Sequence, residues 1–245
     1  MSLVALASLK NAPGVTTTAL ALGAVWPSDR RVLVAELDPA GGDVAGRFRL
    51  PGEPGLLALS AAARRRDPAQ RVWQFCERLP GGLTVLTAPA AGEQARRALA
   101  TPGMAGAFNG LDADVLADCG RLDPASPALE VIRRADVVLL VVRPVYTELK
   151  RLAESVPGLQ ELRSRLGVVL IGKGNYPPGE VATAIGVEVL GSLPVDPHGA
   201  AILGGAPNTK GALRRSPLLR YALSLVRLLL VRLPTETAQP EKEVR

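Results

Sequence analysis

Ser8-Leu9-Lys10-Asn11-Ala12-Pro13-Gly14-Val15-Thr16-Thr17-Thr18 sits between two segments of different character. Before it, Leu3-Val4-Ala5-Leu6-Ala7 is a short, bounded apolar run and predicts a buried strand. After it, Thr18 to Trp26 is rich in helix formers and is closed by Pro27, which predicts a helix. A strand, a loop holding Gly and Pro, and then a helix give a layout in which backbone N–H groups and a helix N-terminus together favour an anion. The standard phosphate-loop pattern G-x-x-x-x-G-K-[ST] is not met. Gly14 and Thr16 stand where its second glycine and hydroxyl residue belong, but Leu9 replaces the first glycine and Val15 the lysine.

Working outward, strands and helices alternate. Arg31 to Glu36 predicts a second buried strand delivering Leu37-Asp38-Pro39-Ala40-Gly41-Gly42-Asp43 to its carboxyl end, the edge where open α/β sheets bind ligands. Two helices are expected around 55–65 and 68–79, then a strand from Gly81 to Thr87 and a helix carrying Arg96-Arg97 to about Phe108. Trp73 and Phe75 are too close in sequence to share one helix face, which favours a core contact over a base-stacking pair. Asp114-Val-Leu-Ala-Asp118 is a strand ending in an acid. Ala135 to Val142 is apolar from Val137, as a central strand buried on both faces requires. A helix from Tyr146 to Ser155, a strand from Gly167 to Ile171 and the run Val187 to Asp196 follow. Residues 216–233 predict a terminal helix with Pro217 in its first turn and Arg220, Ser224 and Arg227 along one stripe. The polar stretch 234–245 is expected to be disordered. The pattern implies one doubly wound, mostly parallel α/β domain over residues 1–233.

Composition agrees. Of 245 residues, 47% are hydrophobic and only 3% aromatic, which makes an aliphatic core of ample size. The net charge is +6. Residues 234–245 carry three glutamates against Lys242 and Arg245, so residues 1–233 hold +7. Such a surface attracts nucleic acid or anionic lipid non-specifically. Cys76 and Cys119 form no C-x-x-C pair and read as small buried hydrophobes of a reducing compartment. The sole histidine, His198, has no second ligand at metal spacing. No stretch reaches a membrane-spanning length without charge, and the N-terminus has no signal-peptide pattern. A cytoplasmic protein is expected.

The order Lys10-x-x-x-Gly14-x-Thr16-Thr17 resembles the deviant Walker A loop of the ParA/MinD family of P-loop ATPases, Lys-Gly-Gly-x-Gly-Lys-Thr-Thr. Val-Leu-Val-Ala-Glu36-Leu-Asp38-Pro39 is similar to that family's second-strand motif, with Glu36 in place of the first Asp. Asp114 to Asp118 resembles its Walker B strand. Leu190-Gly-Ser-Leu-Pro194-Val-Asp196 resembles its last strand. The resemblance spans residues 1–233. It implies a P-loop fold, ATP and Mg²⁺ as the only cofactors, a homodimer and protein partners. It assigns Lys10 and Asp38 catalytic roles, and Lys10, Gly14, Val15, Thr16 and Thr17 the nucleotide contacts. Thr16 and Asp118 become the Mg²⁺ positions. It also marks departures. Val15 cannot bind phosphate, Asn11 and Ala12 replace two glycines, and Pro13 removes an N–H donor. Cys119-Gly120-Arg121 alters the segment after the Walker B acid, and Gly172-Lys173-Gly174-Asn175 stands where the family's adenine-reading Asn should be, with Asn175 a shifted substitute.

These departures predict a degenerate member with weak or absent ATPase activity, acting as a scaffold or localisation factor for pilus or secretion machinery, like the CpaE/TadZ group. The alternatives are an active partition ATPase on non-specific DNA and a MinD-like switch using the 216–233 helix at a membrane surface, with nucleoid or membrane association accordingly.

Overall fold

A computed structural model describes residues 1–10, 14–64 and 68–234. The expected disordered tail, bar Pro234, and the loop positions Asn11, Ala12 and Pro13 lie outside the described residues. One sheet holds β1 (Leu3–Ser8), β2 (Val32–Glu36), β3 (Glu77–Arg78), β4 (Thr84–Leu86), β5 (Asp114–Arg121), β6 (Val137–Val142), β7 (Leu166–Ile171) and β8 (Val189–Leu193). Their order is β3-β4-β2-β5-β1-β6-β7-β8. Every pairing is parallel except β3 with β4. The helices are α1 (Val15–Ala24), α2 (Val44–Phe48), α3 (Gly55–Ala63), α4 (Gly92–Leu99), α5 (Leu129–Arg134), α6 (Tyr146–Ser155), α7 (Pro178–Ile185), α8 (Pro197–Leu203) and α9 (Pro217–Arg232).

Side-chain alternation sorts the core into two layers. Leu3, Ala5 and Ala7 of β1, with Val138, Leu140 and Val142 of β6, face the helices from α3 to α7. Val4 and Leu6, with Val137, Leu139 and Val141, face α1, α8 and α9. Both faces are therefore covered, and that is why these strands read as unbroken apolar runs. β1 lies between β5 and β6, so the chain winds one way through β2 and β4 and the other way through β7 and β8. The crevice at such a reversal, outside the carboxyl ends of the strands, is where ligands of this architecture sit.

Three expectations shift. The region read as a helix over 68–79 is a 3₁₀ helix, Pro68–Phe75, followed by the short strand β3. A turn through Pro80-Gly81-Gly82 folds β3 back on β4, with Leu79 N–H donating to Leu83 C=O at 2.9 Å. The helix expected to reach Phe108 stops at Leu99, because Pro102 and Gly103, at φ 88°, break it. β5 does not end at Asp118 but runs to Arg121, since Leu37 and Leu122 continue the backbone bonding through Asp118 and Ser8.

On α9, Leu218, Leu219, Ala222, Leu225, Val226 and Leu229 pack inward. Arg220, Ser224 and Arg227 face solvent as the sequence stripe implied, but Tyr221, Leu228 and Val231 join them. Among the described residues, no helix is long and apolar enough to cross a membrane.

Candidate functional site

The cradle is built on the β1–α1 junction. Gly14 takes φ 96°, a left-handed conformation that a side chain would disfavour, and its C=O receives the Thr18 N–H at 2.8 Å to start α1. Val15 follows and points inward. Only 1% of it is exposed, and it belongs to the core layer of α1, β1 and α9. Thr16 and Thr17 are half-buried at the helix start. Lys10 is exposed over the carboxyl end of β6, bordering a small cleft with Glu148 and Arg151.

The other side of β1 gathers carboxylates. Asp118, buried to 1%, accepts the Gly120 N–H through Oδ1 at 3.1 Å, while its Oδ2 has no hydrogen-bond partner among the described residues. Burial raises its pKa to about 7; the Thr16 hydroxyl and the Gly120 N–H pull the other way, and the charges of Glu36 and Asp38 add to the rise. Asp38 accepts the Ala40 N–H at 2.7 Å in a tight turn. Its carboxyl is raised as well, by burial first, against the Ala40 bond and with the Asp43 charge adding. The carboxyl lies directly over Gly120, where a Cβ would come within 2.0 Å of it. Gly120→Ala is therefore expected to expel Asp38 and, with φ at 60°, to cost about 1–3 kcal/mol of stability. Urea unfolding checks this. In Gly120→Ala/Asp38→Ala the steric part of the loss should return, and a purely additive double variant would refute the contact.

Glu36 ties neighbouring segments together. It accepts N–H bonds from Asp43 at 2.7 Å, Val44 at 3.0 Å and Ala88 at 3.0 Å, and so pins the start of α2 to the end of β4. Burial still raises its pKa, against those three bonds. A crevice of about 700 Å³ opens beside this staple, between α2 and the segment 88–94, and none of Gly14–Thr17 lines it.

The structure thus brings Thr16, Asp38 and Asp118 together and sets Lys10 apart on the β6 side. Thr16, Asp118 and Asp38 offer the oxygen donors that a hard cation takes. Among the described residues, no group of three His, Cys, Asp or Glu is arranged to hold a metal alone. A cation here would need water or phosphate oxygens to complete its shell, as Mg²⁺ commonly does. A triphosphate fits less well, because Val15 is turned away and Lys10 is the only cation described in the loop.

Asn175 and His198 are exposed. Asp196 caps α8 through the Gly199 N–H at 2.9 Å and takes the Ser216 hydroxyl at 2.5 Å, tying α8 to the start of α9. Cys119 is buried, whereas Cys76 is only half-buried, bonded to the Val72 C=O at 3.2 Å, and its thiol is pushed up to about 12 by burial.

No local pattern signals what Asp114 does at the first position of β5. It accepts the Ser2 N–H at 3.1 Å, the Trp26 indole N–H at 2.9 Å and two Arg30 bonds at 2.6 and 2.8 Å. Burial alone would raise its pKa, but the Arg30 and Trp26 bonds hold it below the usual carboxylate range.

No protein-family model matches the sequence, and no curated protein does. Solved structures do resemble it. A ParA family ATPase from Chlorobium tepidum is 16% identical, over 92% of this chain and 97% of that one, with a TM-score of 0.72. MinD of Pyrococcus horikoshii, complexed with Mg-ADP, is 18% identical over 93% and 95%, with a TM-score of 0.69. The MinC:MinD cell division complex of Aquifex aeolicus gives 14% identity over 94% and 96%, also at 0.69. With the sheet order, the β1–α1 cradle and the acid on β5, these likenesses establish that the chain has the fold of the ParA and MinD ATPases.

Proposed function

We propose that this protein is a ParA/MinD-like factor that has given up efficient ATP turnover and works as a scaffold or spatial localiser, of the kind that serves pilus or secretion machinery. The observation that supports it is Val15. At the position where the resembling family binds β- and γ-phosphate oxygens with a lysine, this chain buries a hydrocarbon in its core. A lost charge-assisted hydrogen bond of about 1.5–3 kcal/mol weakens binding roughly 10- to 100-fold, and a transition state carrying more charge suffers further. Partnership then remains as the work of the fold, and a MinD relative complexed with MinC is a precedent for a protein partner.

A second reading, a slow but active ATPase, draws on the group that is retained: Lys10, Thr16, Asp38 and an Asp118 whose Oδ2 has no partner among the described residues. The Mg-ADP in the MinD relative is its precedent for a cofactor. Calorimetric titration with ATP, with and without Mg²⁺, decides between the two. The scaffold reading expects no Mg²⁺-dependent binding at millimolar nucleotide and no phosphate release. Micromolar, Mg²⁺-dependent binding that disappears in Lys10→Ala would overturn it in favour of the active enzyme.

A further inference from the structure

Both tryptophans of the chain border one cavity, at the end of the sheet opposite the cradle. It measures about 520 Å³ and opens where the end of α1, the starts of β2 and β4, and the β3–β4 turn meet. That volume lies within the usual range of small-ligand sites. Arg30, Arg31 and Arg78 line it, and no Asp or Glu does.

The three cations are not equivalent. Arg30 is committed to the buried Asp114 by two hydrogen bonds. Arg31 lies over the Trp73 ring, its guanidinium carbon 4.1 Å from the centroid, with 57% of the side chain exposed. Its carboxylate neighbour, Asp112, stands 3.8 Å away and is 89% exposed, a pair too solvated to neutralise it strongly. Arg78 is exposed on the edge strand β3 and joins none of the ion pairs among the described residues. A concave site lined by cations and free of acids concentrates anions. A guanidinium already seated over an indole offers a platform for a planar ring, as arginine does beneath unstacked bases.

We propose that this cavity binds a phosphate-bearing planar ring, that is, a nucleoside monophosphate unit, with the ring on the Arg31–Trp73 stack and the phosphate drawn by Arg78. The unit is supplied either as a free nucleotide or as a residue of a single strand; both present the same chemistry. The site is independent of the cradle and does not rest on whether ATP binds there.

Tryptophan emission reads this cavity alone, since no tryptophan lies elsewhere. The full chain is titrated with AMP, with a short oligothymidylate and with inorganic phosphate. A saturable change with AMP is expected if the source is free nucleotide, and with the oligothymidylate only if it is a strand; either supports the site. Arg78→Ala, on an exposed edge, should weaken that binding roughly tenfold. Arg31→Lys keeps the charge but loses the flat surface, so it should weaken the ring ligand by a similar factor and leave inorganic phosphate unaffected. Circular dichroism confirms that both variants fold. No saturable change with either ring ligand, a change that Arg78→Ala leaves intact, or inorganic phosphate binding as tightly as AMP would each overturn the proposal.

Discussion

Asp114→Ala is expected to lower stability at pH 7 by about 3–5 kcal/mol, the range for removing one partner of a buried ion pair. Asp114 is 3% exposed, and its loss would leave the Ser2 N–H, the Trp26 indole N–H and the Arg30 guanidinium facing a hole. For a chain of this length each kcal/mol moves the melting temperature by about 2–4 °C, so a drop of roughly 10 °C should be seen in a thermal melt. Because the folded-state pKa is depressed, this stabilisation is complete at neutral pH and is lost as pH falls through the folded value. Arg30→Ala should cost less in the Asp114→Ala background than in the wild-type chain, since their ion pair is already broken there. A loss under about 1 kcal/mol would mean that the network is worth no more than a surface pair.

Asp118→Asn, four positions along the same strand, should act in the opposite direction. Its carboxyl is raised from 3.8 to about 7, so the folded chain holds a proton that the unfolded chain has released. Between about pH 4 and 7 wild-type stability should therefore fall as pH rises, and then level off. A gap of about three pKa units corresponds to an effect on the order of 4 kcal/mol. Asparagine carries no charge to desolvate and keeps an oxygen for the Gly120 N–H. The variant should be more stable than wild type at pH 8, by up to that order, with the difference vanishing towards pH 4. Urea unfolding at pH 5 and pH 8 measures it. A wild-type stability flat across that interval would show that the Asp118 charge is compensated.

What could be read beforehand was whatever local periodicity and residue type determine. The unbroken apolar runs of β1 and β6, the turn at Gly14 and the start of α9 at Pro217 all depend on neighbours within a few residues. What could not be read depends on distant partners. Glu36 looked like a mere replacement of the motif's first Asp because its bond to Ala88, 52 residues on, leaves no trace in a local window. Gly120 looked like a mere departure from a motif until the Asp38 carboxyl was found over it. Arg31 and Trp73 are separated by a strand, a loop and two helices, yet they stack. β3 escaped because two residues are too few to show any alternation.

Val15 also bears on how this chain can change over generations. It shares its packed layer with Leu6, Leu139 and Val141, and only 1% of it is exposed. A single codon change to lysine would thrust an ammonium group against that hydrocarbon, at a cost of several kcal/mol unless it found a way out. Placing a lysine here would need the adjoining side chains to alter in concert, so mutation is freer to remodel the protein's outer surfaces than to install a cation at this position.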